Sequence, residues 1–441
     1  MSQESISLGG IHNRLRFLLN RLSERLWVKP LFSCCVSILV VFLANFADDI
    51  GILENKVPNI SYESVTTLLS VMAASMLVIA TFSVGAMLSA YASASDVATP
   101  RALSLVIADD VSQNALSTFI GSFIFSIVGL VAHLNTVYGK LGTFVLFVIT
   151  LLVFAIVIFS FVRWVDRIAR LGRLGATIGK VEDVTTKIIQ TVAQHPTLCA
   201  MPWEREEIEE GVTQSDSEPV FSKTVGFVQQ LDIAKLQSLA EHFEGKVYVC
   251  TLPGDFVTLS APIAYIKSKR NFDDKILTKI AGAFRIGRVR TFDEDPRFGM
   301  VVLSEIASRA LSPAVNDPGT ATNIIGTMER LFSVWATTQK TSTASSIQYK
   351  SVFVTELSMS NVFDEAFSAI ARDGAATREV TIKLQKAFTS LQLLGHKPIA
   401  DASIKHSLYA LAHAESRLTL QEDIDNIRSL AKKVNDQKNL S

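Results

Sequence analysis

Net charge is the first thing this sequence lacks. Lys and Arg number 42 and Asp and Glu 42, so the formal balance is zero. The electrostatic footprint that carries nucleic-acid binding is missing, and no nucleic-acid partner is expected. Cysteine is scarce as well. Cys34, Cys35, Cys199 and Cys250 form no CxxC pair, and the first two lie side by side in an apolar run. Small buried thiols are expected there, not a disulfide or zinc framework. His242, His396, His406 and His413 are each isolated, and no histidine stands near Ser312 to serve it as a base. No catalytic, cofactor or metal site follows from such a set, and the chain is not read as an enzyme. The first residues show no short apolar region ending in a small-residue cleavage site, so no cleaved signal peptide is expected.

What the chain does have is apolar length. Its residues are 49% hydrophobic and only 19% charged, and the apolar runs concentrate before position 165. A helix rising about 1.5 Å per residue needs roughly 20 apolar residues to cross hydrocarbon. Four segments qualify, near 31–47, 65–94, 115–132 and 141–162, and none contains Asp, Glu, Lys, Arg or His. Flanking charge sets their direction. Arg14, Arg16, Arg21, Arg25 and Lys29 precede the first segment, and Arg163, Arg167, Arg170, Arg173 and Lys180 follow the fourth. Asp48, Asp49, Glu54 and Glu63 face one Lys56 in the first loop. The positive-inside bias then places both termini in the cytoplasm. Residues 1–30, with Leu15, Leu18, Leu19, Leu22 and Leu26 among arginines, read as an amphipathic segment on lipid or as a basic flank that fixes orientation.

Ion-coupled pumps and voltage sensors use ionisable groups at depth, and these segments offer none. The second segment offers a stripe instead. Thr67, Ser70, Ala74, Thr81, Gly85 and Ala92 follow steps of 3, 4, 7, 4 and 7, which keep them on one helical face. Small residues serve close helix packing in lipid, and hydroxyls can wall a pore; both readings stand. Ser117, Gly121, Ser122, Ser126 and Gly129 repeat the small-residue theme in the third segment. Four packed helices leave little room for a solute, so a conduit for ions or small solutes is expected at the axis of a homo-oligomer.

Beyond position 180 the pattern becomes that of a water-soluble body. The expected division is a basic segment at 1–30, a four-helix transmembrane domain at 31–180, and a helical connection with an acidic linker at 181–218. A cytoplasmic β-rich module at 219–300 and a mixed α/β to helical region at 301–441 complete it. The module is expected to hold strands near 225–228, 246–251, 256–259 and 263–266, with a helix at 233–242 and a turn at Pro253-Gly254-Asp255. Asp293, Glu294 and Asp295 precede a helix at 300–310, where acids complement its positive end. Adjacent side chains diverge, so capping is expected there and cation binding is not.

The stretch RALSPAVNDPGTA, from Arg309 to Ala321, has the look of a site. Ser312-Pro313 ends one helix, because the residue before proline avoids the helical region. Asp317-Pro318 starts another, with Asp as cap and proline in the first turn. Arg309, Asn316 and Asp317 are candidates to meet Glu305 in a buried polar network at this corner. Strand 347–357 and helices near 362–372, 380–395, 401–415 and 421–434 complete the reading.

Three stretches carry a family resemblance. LLSVMAASMLVIATFSVGAMLSAYASASDVATPRAL, then GFVQQLDIAKLQSLA with LPGDFVTLSAP, and above all DEDPRFGMVVLSEIASRALSPAVNDPGTA resemble the domain-of-unknown-function family 2254 of predicted bacterial membrane proteins. Its signature maps onto Asp295, Phe298, Gly299, Arg309, Ala310, Ser312, Pro313, Asn316, Asp317, Pro318 and Thr320. Ser260 and Gly319 depart from the family's usual residues. The resemblance implies a bacterial inner-membrane protein with four spans and a cytoplasmic domain, and it implies no activity.

Overall fold

A computed structural model describes residues 27–46, 57–107, 110–170, 172–203, 217–268, 274–341 and 347–436. The amphipathic reading of the N-terminal segment, the acidic residues Asp48, Asp49 and Glu54, and most of the acidic linker lie outside the described residues. The chain forms two compact units, residues 1–177 and 178–441.

The first unit is helical: α1 (Val28–Phe46), α2 (Tyr62–Val97), the short α3 (Leu103–Ile107), α4 (Asp110–Leu134) and α5 (Lys140–Ile168). Long apolar runs without proline fold this way because a helix satisfies every internal backbone group without water. Among the described residues α2, α4 and α5 are long and apolar enough to cross a bilayer, and the apolar part of α1 is shorter. The helices overrun the expected segments and take charged residues into their end turns, among them Glu63, Asp110, Lys140 and Arg167.

Helix α4 packs against α1, α2 and α5. Its small residues, Ser117, Gly121, Ser122, Ser126 and Gly129, are all buried. A Cβ on Gly121 would overlap Ser33 Oγ of α1, and one on Gly129 would touch Leu69 of α2 and Leu146 of α5. The ends are tied too. Lys29 Nζ meets Asp110 Oδ1 at 2.6 Å, while Tyr62 stacks on His133 with ring centroids 4.3 Å apart. A Gly121→Leu chain is expected to lose about 1–3 kcal/mol, the usual cost of overpacking. A thermal melt in detergent checks this, and a curve superimposed on the wild type would show that α1 does not rest on Gly121.

The second unit begins inside α6 (Leu174–Gln194). Among the described residues eight strands form two sheets. The larger runs β1 (Ala200–Pro202), β8 (Tyr349–Val354), β4 (Lys246–Val249), β6 (Pro262–Lys267), β2 (Ser217–Phe221). Its first three strands are parallel, and the other pairings are antiparallel. The smaller is antiparallel, with β3 (Gly226–Leu231) between β5 (Phe256–Val257) and β7 (Phe284–Gly287). The β-rich module is thus not closed within 219–300, because β1 and β8 join its larger sheet from outside.

Alternation builds the core. Val247, Val249, Ala264, Ile266, Val352 and Val354 point one way and bury with Leu236 and Ala240 of α7 (Ile233–His242) and Ile280 of α8 (Asp274–Ala281). Tyr248, Tyr265 and Phe353 point the other way, with Trp203 beside them. Helices α9 (Pro296–Ala310), α10 (Pro318–Thr341), α11 (Met359–Asp373), α12 (Arg378–Gln392), α13 (Lys397–Arg417) and α14 (Gln421–Asp436) complete the unit. Phe332, Phe363, Phe367 and Phe388 stack at their centre, neighbouring rings 4.3–5.7 Å apart.

Candidate functional site

The signature motif divides in two. Its second half is the helix–turn–helix corner that local chemistry dictates. Asp317 Oδ1 accepts from Thr320 N at 3.0 Å and Oδ2 from Thr320 Oγ1 at 2.6 Å, and Pro318 opens α10. These bonds hold the Asp317 carboxyl below its ordinary range. Asn316 adopts a left-handed φ of 48°, which Asn tolerates better than most residues. The expected buried network of Glu305, Arg309, Asn316 and Asp317 is corrected here. Arg309 and Asn316 are exposed, Ser312 is half-buried, and Asp317 spends its carboxylate on Thr320.

The buried charges lie in the first half. Asp295 is the N-cap of α9 and accepts from Arg297 N at 3.1 Å. It is 3% exposed and sits between two arginines: Arg290 Nε at 2.7 Å and Arg297 Nε at 3.6 Å. Arg297 reaches on to Asp255 Oδ1 at 2.8 Å and Pro253 O at 3.0 Å, and Arg290 forks onto Glu365 of α11 at 3.2 and 3.4 Å. A five-member chain of alternating sign, Asp255–Arg297–Asp295–Arg290–Glu365, therefore ties the PGD turn to the helical region. Gly254, at φ 94°, lets the turn lie against Asp295, because a Cβ there would strike the carboxylate. Gly299 serves α9 likewise by giving way to Thr185 of α6. Phe298 packs on Phe292 at 4.6 Å beneath the Arg290 guanidinium.

Glu294, next in sequence, gets no arginine. It accepts from Leu231 N at 3.1 Å, where β3 ends and Asp232 caps α7. Burial pushes its carboxyl up to about 7; bonds from Leu231 N and the Gln230 side chain oppose this, and Asp293 and Asp232 add to it. The three acids diverge as expected, and among the described residues no group of His, Cys, Asp and Glu is placed to hold a metal.

His396 caps α13. Its Nδ1 accepts from Ile399 N at 3.3 Å, and its Nε2 lies 2.6 Å from Gln339 Oε1. Burial lowers its pKa, which fits a neutral ring donating to Gln339. It lines a cavity of about 40 Å³ with Trp335, Met359 and Glu356, which is room for water and not for a cofactor.

In the first unit the stripe on α2 has a definite direction. Thr67, Ser70, Ala74, Thr81, Gly85 and Ala92 are all exposed, and nothing lies within 4 Å of a Cβ built on Gly85. The helix packs with its opposite side, through Leu69, Met72, Met76, Ser83, Met87 and Tyr91. Among the described residues of its unit the stripe therefore packs against no helix. Thr81 Oγ1 returns its proton to Leu77 O at 2.8 Å. An open groove at the Tyr62 end is lined by Ser61, Glu63, Ser64, Thr67, Leu68 and Val71.

The family model described as a predicted membrane protein, DUF2254, matches residues 23–390. An uncharacterized protein of Mycobacterium bovis, Mb1321c, is 29% identical over 130 residues, covering 28% of this chain and 24% of its own length. An uncharacterized protein of Mycobacterium tuberculosis, Rv1290c, matches with the same figures. The chain thus spans about a quarter of the length of the curated relatives it matches. No solved structure matches it.

Proposed function

This chain belongs to the DUF2254 family of predicted membrane proteins, and from that premise we propose that it is a homo-oligomeric channel or pore with a regulatory second unit. In this reading α1 joins α2, α4 and α5 as a fourth span of the bacterial inner membrane. Both termini and the second unit then lie in the cytoplasm, and the protein performs no catalysis.

One observation carries the reading: the small and hydroxyl face of α2 points away from the described helices of its own unit. Val78, Phe82 and Leu88 of α2 stand outward beside this face, while Ser117, Gly121, Ser122, Ser126 and Gly129 of α4 are spent on helix contacts. An outward row of small residues is what a second copy of α2 can approach closely. Its hydroxyls suit a water-lined axis formed by one helix from each subunit.

The full chain reconstituted in a planar bilayer should pass ions. Gly85→Leu combined with Thr81→Leu should cut that current about tenfold or more by filling the axis. Cysteines placed at Gly85 and Thr81, with the native four replaced, should cross-link between copies. Cross-linking without conductance over a broad range of ions and voltages would leave a non-conducting scaffold. The size of the folded second unit, residues 178–441, favours that alternative. Failure of both tests removes the oligomer as well.

A further inference from the structure

The smaller sheet of the second unit shows water an apolar face. Val225, just before β3, and Phe227 of β3 fall on one side of the chain, and antiparallel pairing sets Phe256 of β5 and Gly287 of β7 opposite Phe227. Continuing that register brings Val289 opposite Val225. Phe227 and Phe256 meet edge to face at 5.0 Å. The alternate residues Gly226, Val228 and Val257 are buried. The outward set is not covered: Val225 is 51% exposed, Phe256 57% and Val289 65%, with Leu259 at 57% in the turn after β5. Isolated exposed side chains mean little, but Val225, Phe256 and Val289, placed by this register around Phe227 at one end of the sheet, form a contact surface.

The rim of this face is basic. Lys223 and Arg288 stand beside Val225 and Val289, and both are exposed. Lys223 Nζ also bonds Thr278 Oγ1 at 3.1 Å, which fixes α8 and its exposed Lys275 and Lys279 at the same edge. The acid nearest the patch in sequence, Asp255, is turned inward onto Leu252 N and Arg297. Asp274 opens α8 beside these lysines.

We propose that the outer face of the β5–β3–β7 sheet docks on an anionic lipid surface, with Phe256, Leu259, Val225 and Val289 entering the headgroup layer and Lys223 and Arg288 meeting its phosphates. Apolar side chains ringed by Lys and Arg are the pattern of interfacial binding. The same polypeptide carries helices of spanning length, so headgroups are held at high local concentration. A second copy applied through the same face would set Lys223 and Arg288 of each against the other's, a like-charge contact that a lipid phosphate avoids. The inference needs a membrane protein, not a conducting one, so it stands or falls apart from the pore.

Hydrogen exchange of the full chain in nanodiscs tests it. Discs of phosphatidylcholine alone are compared with discs of an equal mixture with phosphatidylglycerol, each loaded with one copy or several. Segments 222–229, 255–261 and 285–290 are expected to exchange about tenfold more slowly on the anionic discs at one copy. The protection should vanish in Phe256→Ser with Val289→Ser, and also in Lys223→Glu with Arg288→Glu, while exchange in α9 to α13 stays as in the wild type. Equal exchange on both lipids overturns the proposal. So does protection that follows the number of copies per disc whatever the lipid, which assigns the face to a second chain.

Discussion

An Asp295→Ala chain should unfold its second unit about 3–5 kcal/mol more easily than the wild type. Two losses add. The carboxylate caps α9 through Arg297 N, a contribution of about 1 kcal/mol. It also balances Arg290 and Arg297, which are 12% and 9% exposed and cannot recover their hydration once the carboxylate is gone. Asp295→Asn separates the two, because Asn caps as well as Asp but carries no charge; most of the loss should remain. Arg290→Met added to Asp295→Ala should cost less than the sum of the single changes, since removing both members of a buried pair leaves less charge unpaired. Denaturant titration with exchange read at α9 and α11 supplies the numbers. Additive losses below about 1 kcal/mol would mean that the arginines find water or other partners, and that the five-member chain does not hold the unit together.

The contrast between that chain and the corner at Asp317 shows what a single sequence can reveal. Both caps, Asp295 before Pro296 and Asp317 before Pro318, are legible because cap, proline and amide lie within three residues. The spanning helices are legible because lipid demands length and apolarity, which are counted directly. The ion pairs are not. Arg297 meets Asp255 at a separation of 42 residues, and Arg290 meets Glu365 at 75. Nothing local says which of the chain's many acids will close on which arginine. A weak signal is present: five charges, Arg290, Asp293, Glu294, Asp295 and Arg297, fall within nine positions that also hold Phe292 and Phe298, and charges set among aromatics call for partners. The larger sheet was misjudged for the same reason of distance, because β8 follows β4 by a hundred residues and pairs with it in parallel. On α2 the period fixed which residues share a face but not which face turns inward. The methionine side, Met76 and Met87, packs with Phe119 of α4 and Val157 and Trp164 of α5, and the small residues are left outward among Val78, Phe82 and Leu88.

Glu294→Gln should stabilise the second unit at about pH 8 by up to about 3 kcal/mol, against the usual direction of core substitutions. The wild-type carboxyl moves from its ordinary 4.5 to about 7 on folding, chiefly because burial disfavours its charge. Between those values the folded chain keeps a proton that the unfolded chain has released. Stability therefore falls as pH rises through the window from about 4.5 to 7, and the whole cost is present above it. A shift of about two and a half units corresponds to about 3 kcal/mol at most. Glutamine keeps the oxygen that accepts from Leu231 N and carries no charge toward Asp232 and Asp293, so its curve should lack this slope. The two proteins should converge as pH falls below about 4.5, where glutamic acid becomes protonated in either state. Asp295 beside it gives the control: its charge is balanced by two arginines, and Asp295→Asn should lose stability where Glu294→Gln gains it. Parallel pH curves for Glu294→Gln and wild type would show that the Glu294 carboxylate is solvated after all, and that the end of β3 is held by its backbone alone.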